Sequence, residues 1–202
     1  MRKTMAKLYF KYGAMGSSKT AQALTTKFNY EERGMRVWLI KPVADTRDGD
    51  GFLRSRIGLF SKCETIGEDE DIYDLYIKKD EKADVIITDE CQFFTSQQID
   101  GLRRIVDEFS VPVMCFGLRT DFRTKLFTGS ARLFEIADSI SEIKTICDCG
   151  RKATVNARFD ARGYLVTHGT QVVIGGNERY LAMCHKCYSE RLKKEREIKN
   201  GY

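Results

Sequence analysis

Gly13, Ala14, Met15, Gly16, Ser17, Ser18, Lys19 and Thr20 form a run whose residue types and spacing suit phosphate binding. A loop that opens on glycine and closes on Lys-Thr can aim successive backbone N–H groups and a helix N-terminus at phosphate oxygens. In that chemistry Lys19 reaches the β and γ phosphates of a nucleotide and the Thr20 hydroxyl ligates Mg²⁺. The usual pattern has a second glycine directly before the lysine, and Ser18 stands there instead. The expectation is a phosphate-binding loop with one imperfect position.

A second candidate is VIITDE, Val85 to Glu90. Four strand-like residues ending in Asp89 would deliver a carboxylate beside the loop, where it can hold magnesium through water. Glu90 follows directly. Phosphoryl transfer to an alcohol needs a proton acceptor at the hydroxyl, and a carboxylate next to the metal is placed for it. ATPases also carry such an acidic pair to position water, and a helix cap with a surface acid is the plain alternative. The pair therefore indicates phosphoryl transfer without naming the acceptor.

Cysteine supplies the third constellation. Seven cysteines, an odd number, suit a disulfide framework poorly in a chain whose start, MRKTMAKLYFKYG, has no secretion pattern. Cys147 with Cys149 and Cys184 with Cys187 are two close pairs, and four thiolates fill a tetrahedral Zn²⁺ completely. The expected role is structural; unligated buried thiols are the alternative. His185 sits beside Cys184 and is read as a bystander, and Cys115 inside VPVMCFG as core. Between the pairs, Gly175 and Gly176 allow close backbone approach and Tyr180 could stack on a flat ring, although composition alone favours ordinary turn glycines and a core tyrosine.

These residues need a scaffold. KLYFKY, MRVWLIKP, ADVIITD and VPVMCFG read as strands, and TAQALTTKFNYEERG, SQQIDGLRRIVDEF and ARLFEIAD as helices. Near-continuous apolar strands alternating with amphipathic helices predict a parallel sheet covered on both faces. The polar stretch from Lys41 to Asp71 is either disordered or an active-site loop. After Lys144 the texture changes to short strands and turns. The division expected is 1–144 for an ATP-binding α/β domain, 145–190 for a zinc-binding unit and 191–202 for a charged, solvated tail. With 202 residues, 42% apolar content and a net charge of +5, the chain can bury a core and has no membrane-span pattern. Cytoplasmic placement follows as the default.

As a set, YGAMGSSKT, NYEERGMRV, DTR at Asp45 to Arg47, SRIGL, TDECQF, VPVMCFGLRTDF, TICDCGRKA and QVVIGGNERY resemble the zinc-containing, tetrameric class of thymidine kinases, bacterial branch. The resemblance implies a P-loop, RecA-like α/β fold with a C-terminal zinc-held lasso. It implies that Gly13 to Thr20, Asp45, Thr46, Arg47, Asp89, Glu90, Cys91 and Gln92 contact the phosphate donor, ATP. Glu90 would accept the proton of the 5′-hydroxyl of thymidine. Phe122, the backbone of Gln171, Val172, Val173, Ile174 and Gly175, and Tyr180 would enclose the base, with Met15 near its 5-methyl group. A homotetramer and feedback inhibition by dTTP are further implications. Bacterial members often use histidine as the fourth zinc ligand, where this chain has Cys187.

Two rivals come from other classes. A nucleic-acid-dependent ATPase would need basic residues and aromatics organised along a groove, and those present are scattered. A non-enzymatic zinc module leaves Lys19, Thr20 and Asp89 without a purpose. The reading is therefore an ATP-dependent thymidine kinase with no nucleic-acid or membrane partner.

Overall fold

The computed structural model describes residues 6–45, 49, 51–171 and 180–199. It begins with β1 (Leu8–Tyr12), α1 (Lys19–Glu31), β2 (Val37–Pro42), β3 (Phe52–Arg54), β4 (Phe60–Lys62) and β5 (Glu64–Ile66). Then come α2 (Ile72–Lys78), β6 (Val85–Thr88), α3 (Ser96–Phe109), β7 (Val113–Gly117), α4 (Thr128–Ile136) and β8 (Ser139–Glu142). The C-terminal part holds β9 (Val155–Arg158), β10 (Tyr180–Met183) and α5 (His185–Lys199).

Six strands pair in the order β5-β2-β6-β7-β1-β8, every pair parallel. The central strands are apolar on both faces because both faces are covered. Leu8, Phe10, Ile40 and Ile86 pack into one core with Ile99, Leu102 and Ile105 of α3 and Leu133 of α4. Leu39, Val85, Ile87 and Phe116 pack into the other with Ala23 and Leu24 of α1. Alternate residues thus go to opposite cores, as the strand period of two requires. Ile99, Leu102 and Ile105 are fully buried, which stabilises the fold by about 1.5–3 kcal/mol for each side chain.

The helices begin where local chemistry satisfies their free N–H groups. Thr95 and Gln98 form a reciprocal capping box at α3, and Asp71 caps α2 by accepting from the N–H groups of Tyr73 and Asp74. α1 starts differently: Ser18 sits at its N-cap in the left-handed region with no side-chain cap. Its first turn is left open toward the glycine loop.

The described part of the Lys41 to Asp71 stretch is structured. It contains the antiparallel hairpin β3–β4 and then β5, the edge strand of the main sheet. Further on, β9 and β10 pair antiparallel beside two small clusters, one of Val155, Ala157, Leu165 and Tyr188, the other of Cys147, Ala153 and Cys184. α5 runs from the second cysteine pair into the charged tail. Glu195 of α5 is buried and accepts the Leu165 N–H at 2.9 Å, so that turn of the helix is anchored rather than fully solvated.

Candidate active site

The glycine loop leaves the C-terminal end of β1 and enters α1. Gly13 is in tight quarters, since a Cβ there would lie 2.4 Å from the Ile143 carbonyl and 2.4 Å from Ser17 Oγ. Lys19 folds over the loop, its ammonium donating to the Ala14 carbonyl at 2.9 Å and to Ser17 Oγ at 3.3 Å. Gly16 and Ser18 both have positive φ, 74° and 61°. That explains why glycine suits the position of Ser18: an L residue there holds a left-handed backbone at a cost of about 1–2 kcal/mol.

Ser18→Gly should remove that cost while making the unfolded chain more flexible by roughly 0.4–1 kcal/mol. The difference favours the glycine by about 0–1.6 kcal/mol. We expect a melting temperature equal to or slightly above that of the parent and ATP affinity within about tenfold, since Lys19, Thr20 and the backbone donors do the binding. Thermal melts and ATP titration check this; abolished activity would assign the serine hydroxyl a role of its own.

The acidic pair meets the loop from a strand that is not its neighbour. The sequence predicts a strand that delivers the Asp89 carboxylate beside the loop, and the structure does this across β7, which lies between β1 and β6. The gap closes because β7 ends in Gly117. A Cβ there would lie 2.6 Å from Cys91 Sγ and from Gln92 Oε1, so only a residue without a side chain lets the segment after β6 cross its end. Thr20 then donates its hydroxyl proton to Asp89 Oδ2 at 2.7 Å.

Asp89 is fully buried, and its Oδ1 has no hydrogen-bond partner among the described residues. Burial, followed by the neighbouring Glu90 charge, pushes its carboxyl up to about 7, with Thr20 and Lys19 pulling the other way. A buried carboxylate with one oxygen orphaned, next to a hydroxyl at the start of α1, is a donor set that fits a hard cation such as Mg²⁺. Glu90 follows with left-handed backbone, φ 50° and ψ 34°. This breaks the strand alternation, so two adjacent acids serve the same side: Asp89 bonds Thr20, and Glu90 lines the cavity with Met15 to Ala21 and Leu118. Ser55, Arg56 and Ile57, from the β3–β4 turn, form its other wall. Those three were not singled out as site residues, although the reading of Lys41 to Asp71 as an active-site loop covered them.

Cys91 and Gln92 lie beneath this cavity, 0% and 1% exposed. Burial raises the Cys91 thiol well above its usual range. Asp45 is also buried, its carboxylate 3.8 Å from the ammonium of buried Lys41. Thr46 and Arg47 lie outside the described residues.

On the other flank, Phe122 is buried and carries the Arg158 guanidinium 5.1 Å from its ring centre, while its carbonyl accepts the Tyr188 hydroxyl. Asp121, its neighbour in the chain, accepts from the Gln171 side chain at 3.2 Å, which ties Gln171 to the segment that carries Phe122. Tyr180 opens β10 opposite Arg158. Val172, Val173, Ile174 and Gly175 lie outside the described residues. Asn156 escaped the sequence reading: buried in β9, it accepts the Met15 N–H at 2.8 Å and donates to the Thr120 carbonyl at 2.9 Å. One side chain thus ties the phosphate loop to the C-terminal part.

The four cysteines converge as their spacing suggests. The sulfurs of Cys147, Cys149, Cys184 and Cys187 all lie within 4.8 Å of one another, Cys149 and Cys184 at 3.6 Å. Tetrahedral zinc with bonds of about 2.3 Å sets its sulfurs about 3.8 Å apart, so the cluster fits Zn²⁺ without rearrangement. Backbone N–H donation, chiefly from Cys187, lowers the Cys184 thiol to about 7, and backbone N–H groups lower Cys147 too. Hydrogen bonding to the Cys149 and Cys184 sulfurs favours the protonated Cys187 thiol and pushes it up to about 12. Thiols this close share protons until a cation balances them.

We expect one zinc per chain by elemental analysis of freshly purified protein. Cys184→Ala should lose it and expose the segment around β9 to protease while the main sheet keeps its cooperative melt, because only small apolar clusters support that region. Metal-free protein with the same protease pattern would argue against a zinc clip.

Among the described residues no helix is long and apolar enough to cross a membrane. A distant structural likeness is to a DNA replication initiation factor, TM-score 0.41 at 14% identity over 69% of this chain and 40% of that one, too remote to inform function. Sequence relatives are much nearer. The chain is 45% identical to a thymidine kinase of Escherichia coli O157:H7 over 93% of both chains. It is 44% identical to one of Photobacterium profundum over 93% of this chain and 99% of that one. The thymidine kinase family model matches residues 6–188. With the phosphate loop, the acidic pair and the cysteine cluster all inside the matched region, the chain belongs to the thymidine kinase family.

Proposed function

We propose that this ATP-dependent thymidine kinase moves the γ-phosphoryl of ATP to the 5′-hydroxyl of thymidine, giving dTMP for deoxynucleotide salvage, with Glu90 as the general base. The observation that carries the assignment is the Glu90 carboxylate on the wall of the phosphate-loop cavity, one residue beyond Asp89, which is bonded to Thr20. Lys19 and the loop from Gly13 to Thr20 hold the triphosphate, with the Met15 N–H kept by Asn156 and the Gly13 N–H by the Gly117 carbonyl, and Asp45 to Arg47 and Asp89 to Cys91 complete the donor site. Thr20 and Asp89 would hold Mg²⁺, which neutralises phosphate charge when bound. Glu90 takes the 5′-hydroxyl proton as the oxygen attacks.

The base lies against Phe122 and Tyr180, with Met15 at its 5-methyl position and the backbone of Gln171 to Gly175 along its edge. Support comes from the Asp121 link that ties Gln171 to the segment that carries Phe122 and from Asn156, which fixes Met15. Cys147, Cys149, Cys184 and Cys187 would hold a structural zinc that clips the segment carrying these residues. Deoxyuridine acceptance, a homotetramer, inhibition by dTTP and a cytoplasmic place are parts of the same reading, supported by the resemblance of the motifs. A phosphate-transfer assay with ATP tests it: turnover should follow added thymidine and be indifferent to single-stranded DNA. Stimulation by DNA alone would favour a motor instead.

A further inference from the structure

We infer that Gln92 is a positioning residue that acts on the reaction through Glu90, rather than a contact to the phosphate donor. Its side-chain carbonyl accepts the Leu118 N–H at 2.8 Å, and its amide nitrogen donates to Glu90 Oε2. The Leu118 N–H can only donate, so it fixes which end of the amide faces it. The NH₂ end is thereby turned to the carboxylate. Gln92 is 1% exposed, and the glycine at 117 leaves room for its carbonyl, since a Cβ there would lie 2.6 Å from Oε1. The backbone just beyond β7 thus orients an amide, and the amide orients the base.

Such a relay is needed at this place. Glu90 stands on a left-handed residue at the end of a strand, where the backbone alone does not hold a long carboxylate to one rotamer. A donor on Oε2 fixes how the carboxylate is turned. Misplacing a reacting group by about 1 Å costs on the order of 10²-fold in rate, and loss of groups that orient a functional side chain costs about 10–100-fold.

The inference rests on Glu90 being the base, and a double-mutant cycle separates the two claims. Gln92→Met keeps the length and removes both hydrogen bonds. It should lower kcat by about 10–100-fold with KM for ATP and for thymidine within about threefold. In a Glu90→Gln background the same change should cost less than about threefold more, because the group it positions is already gone. Gln92→Glu, which still accepts from Leu118 but cannot donate to Glu90 as a carboxylate, should lower kcat similarly and guards against misfolding of the methionine variant. A raised KM for ATP at unchanged kcat, unchanged kinetics, or losses that multiply fully in the Glu90→Gln background would each overturn the positioning role. A Glu90→Gln parent with near-normal turnover would instead refute the base assignment itself.

Discussion

Glu90→Gln is expected to lower kcat for thymidine phosphorylation by about 10²–10⁴, the range for losing a positioned general base, while KM for ATP and thymidine stays within a few-fold. That is about 2.7–5.4 kcal/mol of transition-state stabilisation. The amide has the size of the carboxylate but cannot accept the proton as the 5′-oxygen attacks. Asp89 cannot substitute. It is fully buried and its Oδ2 already accepts from Thr20, so moving it to the hydroxyl would dismantle the bond that joins β6 to α1. The left-handed backbone of Glu90, which costs about 1–2 kcal/mol for an L residue, is then intelligible as what lets a second acid face the cavity from the same strand end. Steady-state kinetics over both substrates decide it, with a melting curve to confirm the fold. A fall of less than about fivefold would assign the proton to another group or to solvent.

What could be read without coordinates follows from where the physics is local. The strands around Phe10, Leu39, Ile86 and Cys115 are apolar on both faces because both faces are buried, and a continuous apolar run is visible in any window of sequence. The edge strands are not: β8, Ser139–Glu142, is partly to well exposed along its length, and β5 has three residues. α2, with seven residues, is too short to show a period. The phosphate loop and the cysteine pairs were legible because backbone geometry and metal valence impose spacing on neighbours in the chain. Strand order is not imposed in that way, so VPVMCFG reads as a strand while its place between the loop strand and the Asp89 strand does not show in the sequence. Asn156 and the Gln92 to Glu90 relay depend on partners far away in sequence or on a conformation, and an isolated Asn or Gln carries no mark of either. The serine at 18 shows the converse: an odd letter in a motif whose reason, a left-handed φ, appears only in the fold.

Deoxycytidine is expected to be phosphorylated with kcat/KM lower than thymidine by about 10⁴ or more, deoxyuridine by only about 10–200-fold. The difference lies in what each analogue leaves unpaired. On the proposed site, removing the 5-methyl group near Met15 takes away apolar contact worth about 1–3 kcal/mol and leaves every polar group as it was. Replacing thymine by cytosine reverses the edge: an unprotonated N3 meets an acceptor and an amino group meets a donor. On the proposed site, the backbone from Gln171 to Gly175 supplies these groups. A backbone carbonyl cannot rotate into a donor as a side-chain amide can. The tie from Gln171 to buried Asp121, which also accepts from Arg123 and from the Lys125 N–H, fixes one end of that segment. Purines would be refused by size between Phe122 and Tyr180. The measurement is kcat/KM for each nucleoside at saturating ATP. If deoxycytidine falls within about tenfold of thymidine, a side chain that can flip, or a bridging water, is reading the base. Asp121→Asn then separates these cases: by loosening Gln171 it should erode discrimination more than it slows thymidine if the backbone reads the edge, and should leave discrimination unchanged if a remote side chain does.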